Sequence, residues 1–543
     1  MLFVGTPWSR VYLPGTRSYV GGRYRSAGEL PRRRALTHPG THMIKQTFRQ
    51  GSFAVALFFS AGAAQGQVAP LNGLDAYITK AMADWQVPGL TIAVVRNDSI
   101  IYERGFGVRE LGKPALVDQN TIFPIASTTK AFTVAALGTL VDEGKLKWDD
   151  KVSAYLPGFQ LQDAYVTQQL TVRDLLIHRI GLSRSDNLWI VAPFTRAEVL
   201  KHAKFLAPPP AFRMSYGYNN LAFIVAGEVA GAASGSNWDD LIAQRLFRPL
   251  GMSRSTTHSA VANADANIAS SHIRVDGLPV AVPRRNYDNI GGAGAIFSSG
   301  HDMAQWIRMH LAGGTYNGTR LLQPATLREM YTPQTTMRAD SADERMFPTT
   351  NFRAYGFGWF LQDYNGRKMV HHSGSINWTR THVAMIPSEH IGVVVIANLN
   401  TSNLQQALVY RVLDALMGLP ARDWSAEYLE IAKRNDDRAQ AQGRAVDSSR
   451  AKNTTPSLAL DQYAGTYTSD VYGDVKVTSE NGHLVLRYSD DYTADLEHWH
   501  HDTFAARWRR TGFGRSFANF ALDSRGRVAT MELDELGVLR RRP

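Results

Sequence analysis

The sequence has no cysteine. This excludes disulfides, thiolate metal sites, a cysteine nucleophile and a lipidated N-terminal cysteine, while leaving the compartment open. It has no G-x-S-x-G elbow of the α/β-hydrolase kind. His498, His500 and His501 lie close together, as do His371 and His372, but no H-E-x-x-H or comparable ligand spacing accompanies them. Neither a metal nor a cofactor is expected. A polyanion-binding field is also missing, despite a formal net charge of +11. Residues 1–66 hold nine Lys/Arg against Glu29 alone, which leaves 50 basic and 47 acidic residues in the rest of the chain. A body so nearly balanced gives no electrostatic case for a nucleic-acid partner.

What remains is an ordinary globular composition, 44% apolar and 20% charged, over 543 residues, enough for more than one domain. Residues 43–66 read as a cleavable signal peptide. Lys45 and Arg49 precede the apolar run Phe53 to Phe59, and the small residues Ala61-Gly62-Ala63-Ala64 follow. The run is too short to span a bilayer stably. Residues 1–42 are then an upstream extension without a folded role; their Arg-rich, acid-poor character also resembles a transit peptide. The expectation is a periplasmic or secreted bacterial protein with no stable membrane span once the signal is cleaved.

From about Val68, Leu71 to Asp84 has the pattern of an amphipathic helix. Leu90 to Val95, the turn Asn97-Asp98 and Ser99 to Tyr102 read as a hairpin. Residues 150–260 are mainly helical segments. Strand patterns return at Tyr355 to Gln362, Thr381 to Ile386 and Ile391 to Ala397, before a helix from about Leu404 to Leu416. Strands and helices at both ends with helices between them predict an α+β fold: an antiparallel sheet flanked by helices, with a mainly helical lobe inserted. This domain is assigned 67–420. Residues 421–455, rich in charge, Ala and Ser, read as a linker. Residues 456–543 carry short alternating segments separated by turn residues, predicting a small all-β barrel.

Ser127-Thr-Thr-Lys130 opens the apolar helix Ala131 to Val141, placing hydroxyl and amine on one helix face, one turn apart. A desolvated lysine can activate a serine. The tetrapeptide is not specific, since Ser-x-x-Lys recurs at Ser449 to Lys452 in a charged stretch. A serine hydrolase also needs a proton relay, a polar group for substrate and oxyanion donors. Two triplets offer the first pair, Tyr218-Asn-Asn220 and Tyr287-Asp-Asn289. The first opens an apolar helix and is favoured; the second suits a turn tyrosine and a capping asparagine. His372-Ser-Gly374-Ser375 lies between strand patterns, where a glycine permits close approach and a backbone N–H can meet an oxyanion.

In this order the three motifs resemble the serine β-lactamase and penicillin-binding-protein-like hydrolases, specifically the class C β-lactamase, esterase and D-aminopeptidase branch. The resemblance runs from about Leu71 to Leu419 and includes Leu175 to Leu182, Phe247 to Met252 and Gly294 to Asp302. Tyr463-Ala-Gly-Thr-Tyr467 and His498-Trp499 are similar to the lipocalin-like domain appended to some of these enzymes. The resemblance implies an acyl-enzyme on Ser127, with Lys130 and Tyr218 sharing the proton work. It implies that Asn220, His372, Gly374 and Ser375 bind substrate, and that the backbone N–H groups of Ser127 and Ser375 form the oxyanion hole. The third motif begins with His372 where efficient β-lactamases usually have lysine, which favours an ester, peptide or D-amino-acid amide over a β-lactam. The competing class is a weak or inactive relative that binds cell-wall peptide or serves as a scaffold. N-terminal sequencing of the exported chain checks the signal assignment: cleavage should fall after the Ala61–Ala64 segment, and a mature chain beginning before Met43 would overturn it.

Overall fold

The computed structural model describes residues 70–543, except 209–210, 339, 377 and 401–402. The expected extension and signal segment, 1–66, lie outside these residues. Helix α1 (Leu74–Trp85) leads into strands β1 (Gly89–Arg96) and β2 (Ser99–Gly107), joined at Asn97 and Asp98. Both turn residues have positive φ, 50° and 63°, the backbone sense that matches the twist of a tight hairpin. Helices α2 (Thr129–Asp142), α3 (Asn220–Ser234) and α4 (Gly300–Leu311) follow, α3 within the mainly helical insertion. The chain then returns to the sheet through β3 (Thr335–Met337), β4 (Arg353–Tyr355), β5 (Phe360–Tyr364), β6 (Arg367–Ile376), β7 (Thr379–Ile386) and β8 (Ile391–Ala397).

These eight strands form one sheet in the order β2-β1-β8-β7-β6-β5-β4-β3, antiparallel at every pairing. Strand β8 (Ile391–Ala397) is buried along its whole length, and β1 nearly so. Their continuous apolar runs fit strands covered on both faces. One face packs against α2, α4 and the helical lobe, where Phe132 and Trp306 stack with ring centroids 3.8 Å apart. The other packs against α1, α5 (Leu404–Leu416) and α6 (Trp424–Ser448).

Three local expectations are corrected. The strand pattern Tyr355 to Gln362 is a hairpin, because Gly358 takes φ 70° and ends β4 before β5 begins. The helix expected from Ala131 to Val141 starts at Thr129 and is buried all round: every residue from Thr129 to Leu140 is buried, since sheet and helical lobe cover opposite sides. Most of the supposed linker 421–455 is the 25-residue α6. Its Ala, Glu, Lys, Arg and Gln are good helix formers. Trp424 Nε1 donates to the buried Asp414 carboxylate at 2.6 Å, anchoring the first turn to α5.

The C-terminal region closes into an eight-stranded barrel of sequential antiparallel strands, β9 (Gly465–Ser469), β10 (Gly473–Glu480), β11 (His483–Ser489), β12 (Tyr492–His500), β13 (Thr503–Trp508), β14 (Ser516–Leu522), β15 (Val528–Leu533) and β16 (Gly537–Arg541). Pairing of β9 with β16 closes the ring and leaves no edge. Tyr467, Val475, Leu484, Leu486, Met531 and Leu539 fill its interior. No helix among the described residues is long and apolar enough to cross a membrane.

Candidate active site

Ser127 sits in a 3₁₀ turn, Ala126–Thr128, that runs directly into α2. Ala126 takes φ 53°, a left-handed conformation that carries strain for a residue with a Cβ. Ser127 is half-buried and lines a cleft, whereas Lys130, one turn later, has no exposed surface. Lys130 Nζ lies 3.3 Å from Ser127 Oγ and donates to Asn220 Oδ1 at 2.7 Å and to the Ala293 carbonyl at 2.8 Å. Desolvation drives its pKa well below the usual lysine value; Asp186 opposes this and Arg184 reinforces it.

Tyr218 comes from the turn before α3, and its hydroxyl is hydrogen-bonded to Ser127. Burial holds that hydroxyl above the ordinary phenol range, only partly offset by the Ser127 bond and by Arg184. The Lys130 amine lies 4.9 Å from the centre of the Tyr218 ring. Burial therefore moves both groups toward their neutral forms, an amine able to take a proton and a phenol able to give one.

Asn220 is the first residue of α3, whose N-terminus is capped by the Asn219 side chain. Its amide is engaged at both ends, accepting from Lys130 and donating to Asp186 Oδ1 at 2.9 Å. In this arrangement it fixes the lysine as well as lining the cleft. His372 lies deeper than its expected substrate-binding role requires. It is 1% exposed, with Nε2 at 3.0 Å from the Tyr355 hydroxyl and Nδ1 at 2.7 Å from the Ser373 carbonyl. A carbonyl can only accept, so Nδ1 carries the proton and Nε2 accepts from Tyr355. Burial, with Lys130 adding to it, lowers His372 to about 3, so it is neutral at physiological pH.

Gly374 explains itself sterically. A Cβ there would fall 2.3 Å from the Ile125 carbonyl oxygen and 3.2 Å from the Ser127 nitrogen. The glycine thus lets β6 press against the nucleophile turn itself, the close approach expected at a substrate. Ser375, the next residue, is exposed at the cleft, and its hydroxyl donates to Asn400 Oδ1 at 3.1 Å. The alternative triplet is structural: Tyr287 is buried, and Asn289 donates to the Trp189 and Phe194 carbonyls, each at 3.1 Å. Ser449 is exposed at the end of α6, its hydroxyl donating to the Val446 carbonyl. Among the described residues no group of three His, Asp or Glu side chains could hold a metal ion.

Four features had no signal in sequence spacing. His178 is fully buried with φ 54°; its Nδ1 accepts from the Asn219 backbone at 3.1 Å and its ring packs 4.2 Å from that of Tyr218. Arg184 lies over the Tyr218 ring and pairs with Asp186 at 2.5 Å. Trp189, Ile190, Ile290 and Trp378 wall a cleft of about 380 Å3. The barrel supplies Gly512 and Phe513 to the same wall. Arg285, also in the cleft, pairs with the barrel's Asp491 at 3.1 Å and donates to the Ile190 carbonyl at 2.7 Å.

A family model for β-lactamase matches residues 74–416, more than half of the chain. The chain belongs to the β-lactamase family. A second model, a domain of unknown function (DUF3471), matches residues 449–540. The chain is similar to unguisins hydrolase ungD of Aspergillus violaceofuscus (strain CBS 115571), at 30% identity over 478 residues, 80% of this chain and 83% of that one. It is similar to penicillin-binding protein 4 of Amycolatopsis lactamdurans, at 28% identity over 324 residues, 58% of this chain and 81% of the other. The octameric penicillin-binding protein homologue from Pyrococcus abyssi has the same fold, with a TM-score of 0.58 at 22% identity, covering 86% of this chain and 99% of that one. This member of the β-lactamase family is therefore a hydrolase by kinship. Within it, Gly374→Ala is expected to lower kcat about 100-fold by displacing the Ser127 turn, with an unchanged circular dichroism spectrum; a wild-type kcat would refute the packing argument.

Proposed function

We propose that this β-lactamase-family hydrolase is a serine esterase or amidase acting through an acyl-enzyme on Ser127. The observation that carries the reading is the convergence of Ser127, buried Lys130 and Tyr218 from two separated motifs at one end of a cleft. Neutral Lys130 accepts the Ser127 hydroxyl proton as Oγ bonds to the substrate carbonyl carbon. The backbone N–H groups of Ser127 and Ser375 hold the developing oxyanion. Tyr218, kept protonated by burial, donates to the leaving oxygen or nitrogen as its bond to carbon breaks, and is re-protonated from Lys130. Water then attacks the acyl carbon, returning a proton through the same pair and freeing Ser127. Asn220 keeps the lysine in register and His372 supports the floor beneath Tyr218.

The cleft favours an ester or a peptide-like amide with a bulky apolar acyl group. Its aromatic wall is large, and its two arginines, Arg184 and Arg285, are each already paired with a carboxylate. With His372 neutral as well, no cation among the described residues of the cleft is left over for the carboxylate of a β-lactam. A relative named for unguisins hydrolysis is in keeping with a non-β-lactam substrate. The segment 43–66 supports export, which places the mature enzyme in the periplasm or medium. The barrel is the counterpart of the expected lipocalin-like domain, used here as part of the cleft wall.

Ser127→Ala should abolish labelling by a serine-directed phosphonate, whereas an unlabelled wild type would favour the binding-protein reading. Only neutral Lys130 can act as base, so kcat/KM should rise with pH and level off well below the usual lysine value of about 10.4. Lys130→Arg, permanently charged, should lose about 100- to 10,000-fold. A profile still rising at pH 10 would exclude Lys130 as the base. Across p-nitrophenyl esters, D- and L-amino-acid amides and nitrocefin, kcat/KM should favour an apolar ester or amide by at least about tenfold over nitrocefin, a difference of about 1.4 kcal/mol; a nitrocefin preference would reverse the substrate assignment.

A further inference from the structure

Strand β6 has a second face that the serine chemistry does not use. Side chains alternate along a strand, so His371 and Ser373 point away from the layer that His372 enters. On the neighbouring strand β7, His382 pairs with Ser373 and Arg380 with Ser375, which puts both on that same far face. With Gln362 and Arg353 they line a cavity of about 80 Å3, roofed by the start of α5. That is room for several waters or for one small polyatomic ion.

The polar groups around this cavity are incompletely satisfied. His382 is 1% exposed, and neither ring nitrogen has a hydrogen-bond partner among the described residues. The same holds for His371 Nδ1 and for the Nε2 of Gln362, itself 3% exposed. Leaving such groups unpaired in a buried space is unfavourable. Charge stands there too, and no carboxylate is among the described residues that line the space. Arg380 bonds the Asn400 carbonyl through Nε at 2.6 Å and has no acidic partner among the described residues. Desolvation lowers its guanidinium to about 10, a measure of uncompensated charge. Asn403, Gln405 and Gln406 place the N-terminus of the 13-residue α5 at the same wall, and the Asn403 side chain does not cap it. That end carries the positive pole of the helix dipole.

We propose that this cavity is a binding site for a small oxyanion of the size and charge of phosphate or sulfate. Arg380 supplies the fixed charge, Gln362 and His382 supply N–H donors, and α5 supplies the positive dipole end. An occupant would compensate the guanidinium and accept from the Gln362 amide and from the one N–H of the neutral His382 ring. The site is separate from the hydrolytic cleft and does not depend on the serine mechanism.

The full-length chain should bind inorganic phosphate saturably by isothermal titration calorimetry, at constant ionic strength against sodium chloride. Arg380→Met should raise the Kd at least about tenfold, the loss of one charge-assisted contact. Gln362→Leu, which keeps both arginines, should weaken binding about threefold or more. Crystals soaked in tungstate should show an anomalous peak between Arg380 and His382. Non-saturable heats, or the same Kd in wild type and both variants, would overturn the proposal, as would tungstate absent from the cavity; the space would then hold water only. Should Arg380→Met fail to fold, Gln362→Leu and the tungstate map decide.

Discussion

Burying one amine is the constraint from which the rest of the site follows. Lys130 loses all contact with water because α2 is enclosed on every side, by the sheet and α4 on one flank and by α3 on the other. An ammonium so placed must either find a carboxylate or give up its proton. The fold offers it neutral oxygens, from Asn220 and Ala293, within hydrogen-bond range. Neutral acceptors fix the amine's position without restoring its charge. The carboxylate nearest in the network, Asp186, meets Lys130 through the Asn220 amide and is itself paired with Arg184. The network that positions the Lys130 amine and the burial that favours its neutral form are thus one device.

The same packing dictates the geometry of the Ser127 turn. A helix buried to its first turn leaves little room for the serine that precedes it. The left-handed Ala126 makes the bend, and Gly374 lets the strand edge close over it. Strain in the turn and the missing side chain on β6 are complementary halves of one contact. Neither makes sense alone.

This division explains what could be read from the chain. Ser127, Lys130, Tyr218 and the His372–Ser375 segment were legible because local order along the sequence carries them: a helix start, a turn before an apolar helix, a strand with one glycine. The layered α+β domain and the barrel were legible from periodicity. What depends on distant pairing was not. His372 reads as a substrate contact until Tyr355, from a hairpin strand mistaken for part of a longer one, is seen to take its Nε2. Arg184 and Asp186 sit in a loop with no pattern, and His178, though inside the family-like segment Leu175 to Leu182, shows its contacts only when α3 arrives beside it. Helix α6 reads as a linker because its polar face dominates the composition, while its anchorage is concentrated in the first two turns, where Trp424, Ser425 and Tyr428 are buried. Phe513 belongs to another domain, and nothing in the residues between predicts that it reaches the cleft.

Strand β6 finally shows how one element can serve two environments. Its front presents neutral His372 and the bare backbone of Gly374 to the nucleophile layer, and its back presents His371 and Ser373 to the arginine-lined cavity. A short covalent and hydrogen-bonded path joins the two sides: Arg380 holds the Asn400 backbone, and the Asn400 side chain accepts the hydroxyl of Ser375. Arg380 and Ser375 are also cross-strand partners. The cleft end of the strand is thus steadied by a guanidinium that has no charge partner among the described residues. Whatever satisfies Arg380 bears, through Asn400, on Ser375 at the edge of the cleft. The two faces are chemically opposite and mechanically one.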